Sequence, residues 1–166
     1  MDHSVEVLKQ LVYTHYIDFV HLNEEMFEME LNEFINKAEA VHLSAFPKNL
    51  TSVHVIDCIG QHGPINNTTI AEKLNLSKAS ITKITAKLEQ IGYVRRSQLS
   101  DNRKEVYFSL KEKGRRIFEL HQTLHEQEQR RFLEFLERFS GAELEAILKF
   151  LQNWFAYLRV RQSQLK

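Results

Sequence analysis

Cysteine occurs once in this 166-residue chain, at position 58, so no disulfide can close within it, and a single thiol fits a reducing compartment. Two prolines and five glycines leave few places for turns, so the elements should be long. No apolar run approaches the roughly 18 residues that a membrane-spanning helix needs. The opening MDHSVEVLKQ lacks a basic start and an apolar stretch followed by small residues, so it does not read as a secretory signal, and a cytoplasmic protein is expected. Nucleophile elbows, phosphate-binding loops and HExxH pairs are all missing, which sets an enzymatic reading aside. Net charge is missing too, since 22 basic and 22 acidic side chains cancel.

That cancellation hides an uneven distribution. Residues 1–50 carry three basic side chains against nine acidic ones, a balance of −6. Residues 77–116 carry eleven basic against four acidic, a balance of +7. Attraction to phosphate is a local matter, so the segment counts for more than the total. With 43% hydrophobic and 27% charged residues, the rest of the composition is that of an ordinary soluble globular protein.

The chain should be mostly α-helical, with one small β-hairpin. From Ser4 to about Ala45 there is no Gly or Pro, and apolar residues recur at helical spacing, giving one long helix or two joined near Asn23 or Asn36. Phe46-Pro47 breaks it. Thr51 is placed to cap a helix that buries Val55, Ile56 and Ile59 and stops at His62-Gly63-Pro64, with Gly63 expected in the left-handed region. Asn66-Asn67-Thr68-Thr69 supplies the next cap, and Thr69 and Glu72 stand at capping-box spacing for a short helix carrying Ile70, Ala71 and Leu74. Asn75-Leu76-Ser77 makes a turn, and Ser77 caps a helix from Lys78 to about Ile91 that turns Ile81, Ile84, Leu88 and Ile91 inward. Gly92 ends it. Tyr93 to Leu99 and Glu105 to Leu110 alternate as strands around Ser100-Asp101-Asn102. A helix to about Phe139 follows, with a stripe of Ile117, Leu120, Leu124, Phe132, Phe135 and Leu136. Ser140-Gly141-Ala142-Glu143 then forms another capping box, opening a last helix.

A helix, a tight turn, a second helix and a hairpin make a winged helix-turn-helix, and residues 50–116 read as that lobe. Residues 1–46 and 117–166 read as long dimerisation helices around it. The second helix of such a motif should offer small polar or basic residues to base edges at its N-terminal end. Here that end shows Ser77, Lys78, Ala79, Ser80, Thr82 and Lys83. Hydroxyls donate or accept, Ala79 suits a thymine methyl, and the lysines suit guanine edges or phosphate. Asp101, Asn102, Arg103 and Lys104 at the hairpin tip suit a neighbouring minor groove, with Asp101 able to hold an arginine by a charge-assisted hydrogen bond. Arg95 and Arg96, with Lys111, Arg115 and Arg116, are candidates for backbone phosphates. The rival reading is a winged-helix module that contacts protein without binding DNA; the local positive charge and the arginine-tipped hairpin favour DNA.

These residues together resemble the MarR family of bacterial transcription regulators. The resemblance rests on Leu50-Thr51, on Ile70-Ala71-x-x-Leu74, and on Ser77-x-x-Ser80-Ile81-Thr82-Lys83. It continues through Leu88-Glu89-x-x-Gly92-Tyr93-Val94-x-Arg96, Asp101-x-Arg103 and Leu110-x-x-x-Gly114. The segment before Leu50-Thr51 is longer than is usual in the family. The resemblance implies a homodimer built by the N- and C-terminal helices. It further implies binding to a palindromic double-stranded operator, and repression that a small-molecule ligand or an oxidant relieves.

Three features are candidates for the sensed signal. His121 and His125 lie four apart on one helix face, a half-site for zinc, which takes three or four N, S or O ligands. A zinc-sensing branch of the family is similar here, and Glu39, His42 and His54 lie near the places of its remaining ligands. Cys58 sits in an apolar helix with no neighbouring positive charge, so a buried packing role is expected of it. The aromatics Tyr13, Tyr16, Phe19, Phe27, Phe34 and Trp154 stand at helical spacing and read as core before they read as a ligand pocket.

Overall fold

The computed structural model describes residues 3–40, 49–99 and 102–164. They form α1 (His3–Ala40), α2 (Leu50–His62), β1 (Ile65–Asn66), α3 (Asn67–Leu74), α4 (Lys78–Gln90), β2 (Val94–Leu99), β3 (Asn102–Leu110), α5 (Glu112–Leu136) and α6 (Gly141–Gln164). The long N-terminal segment is one helix, α1, through both Asn23 and Asn36. Phe46-Pro47 and His42 lie outside the described residues. The chain divides into two compact units, Met1–Gln122 and Thr123–Lys166.

In the first unit α2 is the centre of the core. It buries Ser52, Val53, Val55, Ile56, Cys58 and Ile59, more than one face of a helix can hold, because neighbours pack on several sides. Gly60 lets α5 approach, since a Cβ there would run into the Phe118 ring. From α1 only Phe34 and Ala38 are buried. Ile70, Ile81, Leu88, Val94, Phe108 and Ile117 complete the core.

Several helix ends differ from the sequence expectation. Asn49, not Thr51, caps α2, its side chain accepting from the Ser52 amide at 2.9 Å. Within the expected cap at residues 66–69 it is Asn66 that serves, accepting from Thr69 N at 2.9 Å, so Thr69 already lies inside α3 and no Thr69–Glu72 box opens it. Asparagine serves as well as Ser or Thr at such a position. Gly63 is extended (φ −67°, ψ 147°), not left-handed. Its smallness is needed for space, since a Cβ would stand 2.6 Å from the Ile59 carbonyl oxygen. The left-handed caps are Asn75 (φ 51°), after α3, and Gly92 (φ 81°), beyond α4.

The hairpin is larger than the two predicted strands. Ile65-Asn66 adds a third strand, giving the antiparallel order β1-β3-β2 with Ile65 opposite Phe108. A two-residue strand has no readable alternation, which is why the sequence did not announce it. Tyr93 is a fully buried turn residue, not the first residue of β2. Gly114 passes so close to the Tyr93 carbonyl that a Cβ would collide with it, and the Lys111 amide donates to that same oxygen at 2.9 Å. The wing is thereby tied to the start of α5.

In the second unit, Ser140 and Glu143 close the expected capping box. The Ser140 amide donates to Glu143 Oε2 at 2.8 Å, and the Glu143 amide approaches Ser140 Oγ at 3.4 Å. No residue of α6 is buried. Apolar side chains of α5 and α6 are largely open in the single chain, with Phe132, Phe135, Leu151 and Phe155 exposed. The same holds for Tyr13, Phe19 and Phe27 of α1, whereas Phe34 is buried as expected.

Candidate nucleic-acid interface

α4 presents one apolar and one open face. Ile81 and Leu88 are fully buried, and Ile84 and Ile91 are half-buried, so the predicted inward stripe is in place. Lys78, Ala79, Ser80, Thr82 and Lys83 are all exposed on the other side. Ser77 is exposed too, but its hydroxyl is engaged at the helix start. It accepts from the Ser80 amide at 3.1 Å and lies 2.8 Å from Ser80 Oγ. It thereby caps α4.

One inward position was missed. Thr85 is almost wholly buried, its hydroxyl bonding the Ile81 carbonyl at 3.0 Å and Asn67 Oδ1 at 3.1 Å. Asn67 Nδ2 also donates to Thr82 Oγ1 at 3.3 Å, which joins the first residue of α3 to the exposed face of α4. A threonine inside an apolar stripe is the only signal the sequence offered for this network.

On the wing, Arg95 pairs with Ser109 and Arg96 with Phe108. Successive strand residues alternate, so these two exposed arginines leave opposite faces of the sheet. The register shifts between Ser97 and Leu99, just before the tip. Asp101 lies outside the described residues, and Asn102, Arg103 and Lys104 are described only as backbone of β3. Lys111, Arg115 and Arg116 are exposed around the first turn of α5.

The candidate sensing residues part company. His121 is buried, with its Nδ1 3.3 Å from Asp57 Oδ1, its ring edge-on to Phe34 and its centroid 5.5 Å from that of His54. Gln122 donates to the same Asp57 oxygen. His125, one turn further along α5, is exposed, as is Glu39. Among the described residues no three His, Cys, Asp or Glu are gathered so as to hold a metal ion. The described residues therefore do not supply the three or four ligands zinc requires. Cys58 is buried, and that burial pushes its thiol above the usual value, outweighing the opposing effect of Lys73.

Comparison with known proteins places these features in a group. Residues 48–106 match the model of the MarR family. The HTH-type transcriptional regulator PchR of Bacillus subtilis (strain 168) is 48% identical over 158 residues, covering 95% of this chain and 94% of that protein. Among solved structures, wild-type Lactococcus lactis ZitR in complex with DNA superposes with a TM-score of 0.62 at 29% identity, over 69% of this chain and 78% of that one. A structure of ZitR described as a zinc-responsive MarR family member gives 0.62 at 25% identity, over 69% and 79%.

Proposed function

The chain belongs to the MarR family, and from that membership we propose that it is a DNA-binding transcriptional regulator, not an enzyme, acting as a homodimeric repressor of a palindromic operator that a small-molecule ligand releases. One observation carries the reading. The N-terminal half of α4 stands open with Lys78, Ala79, Ser80, Thr82 and Lys83 exposed, in a segment whose balance is +7 within a neutral chain. Lys and Arg at that density release counterions from DNA, and short polar side chains at a helix start fit the major groove.

In this reading α4 lies in the major groove and Ala79, Ser80, Thr82 and Lys83 face base edges. Lys78, Arg95 and Arg96 neutralise phosphates, and the wing tip with Asn102, Arg103 and Lys104 enters the flanking minor groove. Residues 1–46 and 117–166 pair two copies. The exposed apolar side chains of α1 and α6, such as Leu8, Leu11, Phe150 and Phe155, support that assignment, since apolar surface of that extent is seldom left to water. The test is selection of duplexes from a random pool by the full-length protein. A sequence with two inverted half-sites is expected, whereas recovery of unselected sequence sinks the reading.

A zinc-responsive form of the same regulator is favoured by one observation, the approach of His54 to His121. If zinc is the signal, adding it changes operator affinity in the wild type and leaves a His121→Ala, His125→Ala double variant unaffected. Equal responses in both end that form.

A further inference from the structure

Thr82 is exposed on the open face of α4, yet its hydroxyl faces inward. It donates to the Lys78 carbonyl at 2.8 Å and accepts from Asn67 Nδ2 at 3.3 Å. Asn67 is itself anchored, because its Oδ1 meets the hydroxyl of the buried Thr85 at 3.1 Å. Turning the amide over would exchange which threonine accepts from it, but the Thr82 proton would still be spent inward, on Lys78 or on Asn67. A helical threonine divides between two side-chain rotamers, and a partner on one side selects between them. With the hydroxyl proton and one lone pair engaged by the backbone and α3, the methyl carbon is the one terminal atom of Thr82 with no polar partner.

We propose that Asn67 is a positioning residue for base reading: it holds the Thr82 hydroxyl away from the groove, so that Thr82 recognises thymine by methyl-to-methyl contact. A hydroxyl free to turn would donate or accept and discriminate poorly, whereas a fixed methyl meets the thymine methyl and no polar edge. This rests on the DNA-reading function of α4. It assigns a specificity role to a residue of α3 that need not touch DNA.

The test uses the selected operator with single thymines replaced by uracil, which removes the methyl group alone. Wild-type protein should lose about fourfold in affinity at one thymine per half-site, the size expected for one buried methyl. Thr82→Val, which keeps a methyl, should retain that loss. Thr82→Ser, which keeps only the hydroxyl, should bind thymine and uracil operators alike, and Asn67→Ala should behave similarly. Asn67→Ser serves where the alanine variant folds poorly, since its side chain is too short to reach Thr82. Discrimination that survives in Thr82→Ser, or vanishes in Thr82→Val, overturns the proposal. So does an Asn67 variant that weakens every sequence equally while keeping its thymine preference, which would make Asn67 simple packing. Failure to select any sequence would instead bring down the DNA reading itself.

Discussion

Arg103 and Cys58 mark the two ends of what single residues contribute. In the proposed complex Arg103 makes one good groove contact, so Arg103→Ala should weaken operator binding by roughly 1–3 kcal/mol. Titration of a labelled operator would show it, and unchanged affinity would remove the wing tip from the contact surface. Cys58 lies in the middle of α2 with its thiol shifted upward by burial. The thiolate is the reactive form, so the folded protein should resist thiol reagents at neutral pH and keep its operator in the presence of mild peroxide. Rapid labelling of the native protein, with release of DNA, would contradict this. The sequence already pointed to this burial, because Cys58 lies within an apolar helix beside Ile59. It did not reveal that Asp57, one position earlier, reaches 3.3 Å from His121, because that pairing joins residues 64 apart.

At the level of elements, local chemistry made most of the helices legible. Ser77, Asn75, Gly92 and the Ser140–Glu143 box each signal a boundary through a side chain or a backbone conformation, and each is found at work. The failures share one physical origin. Asn49 competes for capping with Thr51, and within residues 66–69 more than one side chain could cap; spacing alone does not decide which oxygen reaches the free amides. β1 exists because β3 offers it an edge, which no local pattern encodes. The box on α6 also predicts a pH effect. Hydrogen bonds from Ser140 hold the Glu143 carboxyl below its usual pKa, so its contribution is complete above the ordinary glutamate value and disappears as pH falls through the lowered one. Thermal unfolding should therefore show wild type more stable than Glu143→Gln at pH 7, with the gap closing in acid. A gap that widened in acid would contradict the box.

For the whole molecule, neutrality is the sum of opposed parts, an acidic α1 segment and a basic winged lobe. Such a division suits a protein whose lobe meets phosphate while its long helices meet another copy of themselves. The apolar stripes of α1, α5 and α6 follow from their periodicity, but periodicity cannot tell a face covered within the chain from one that a partner covers. Leu8, Phe19, Phe135 and Phe155 are exposed in the single chain. The central claim is that two copies present two α4 helices to one duplex. Hydroxyl-radical footprinting of the selected operator, with the mass of the complex measured alongside, tests it most directly. Two protected half-sites roughly 10 bp apart, or a multiple of that, under two chains per duplex are predicted; a single protected half-site under one chain would contradict it.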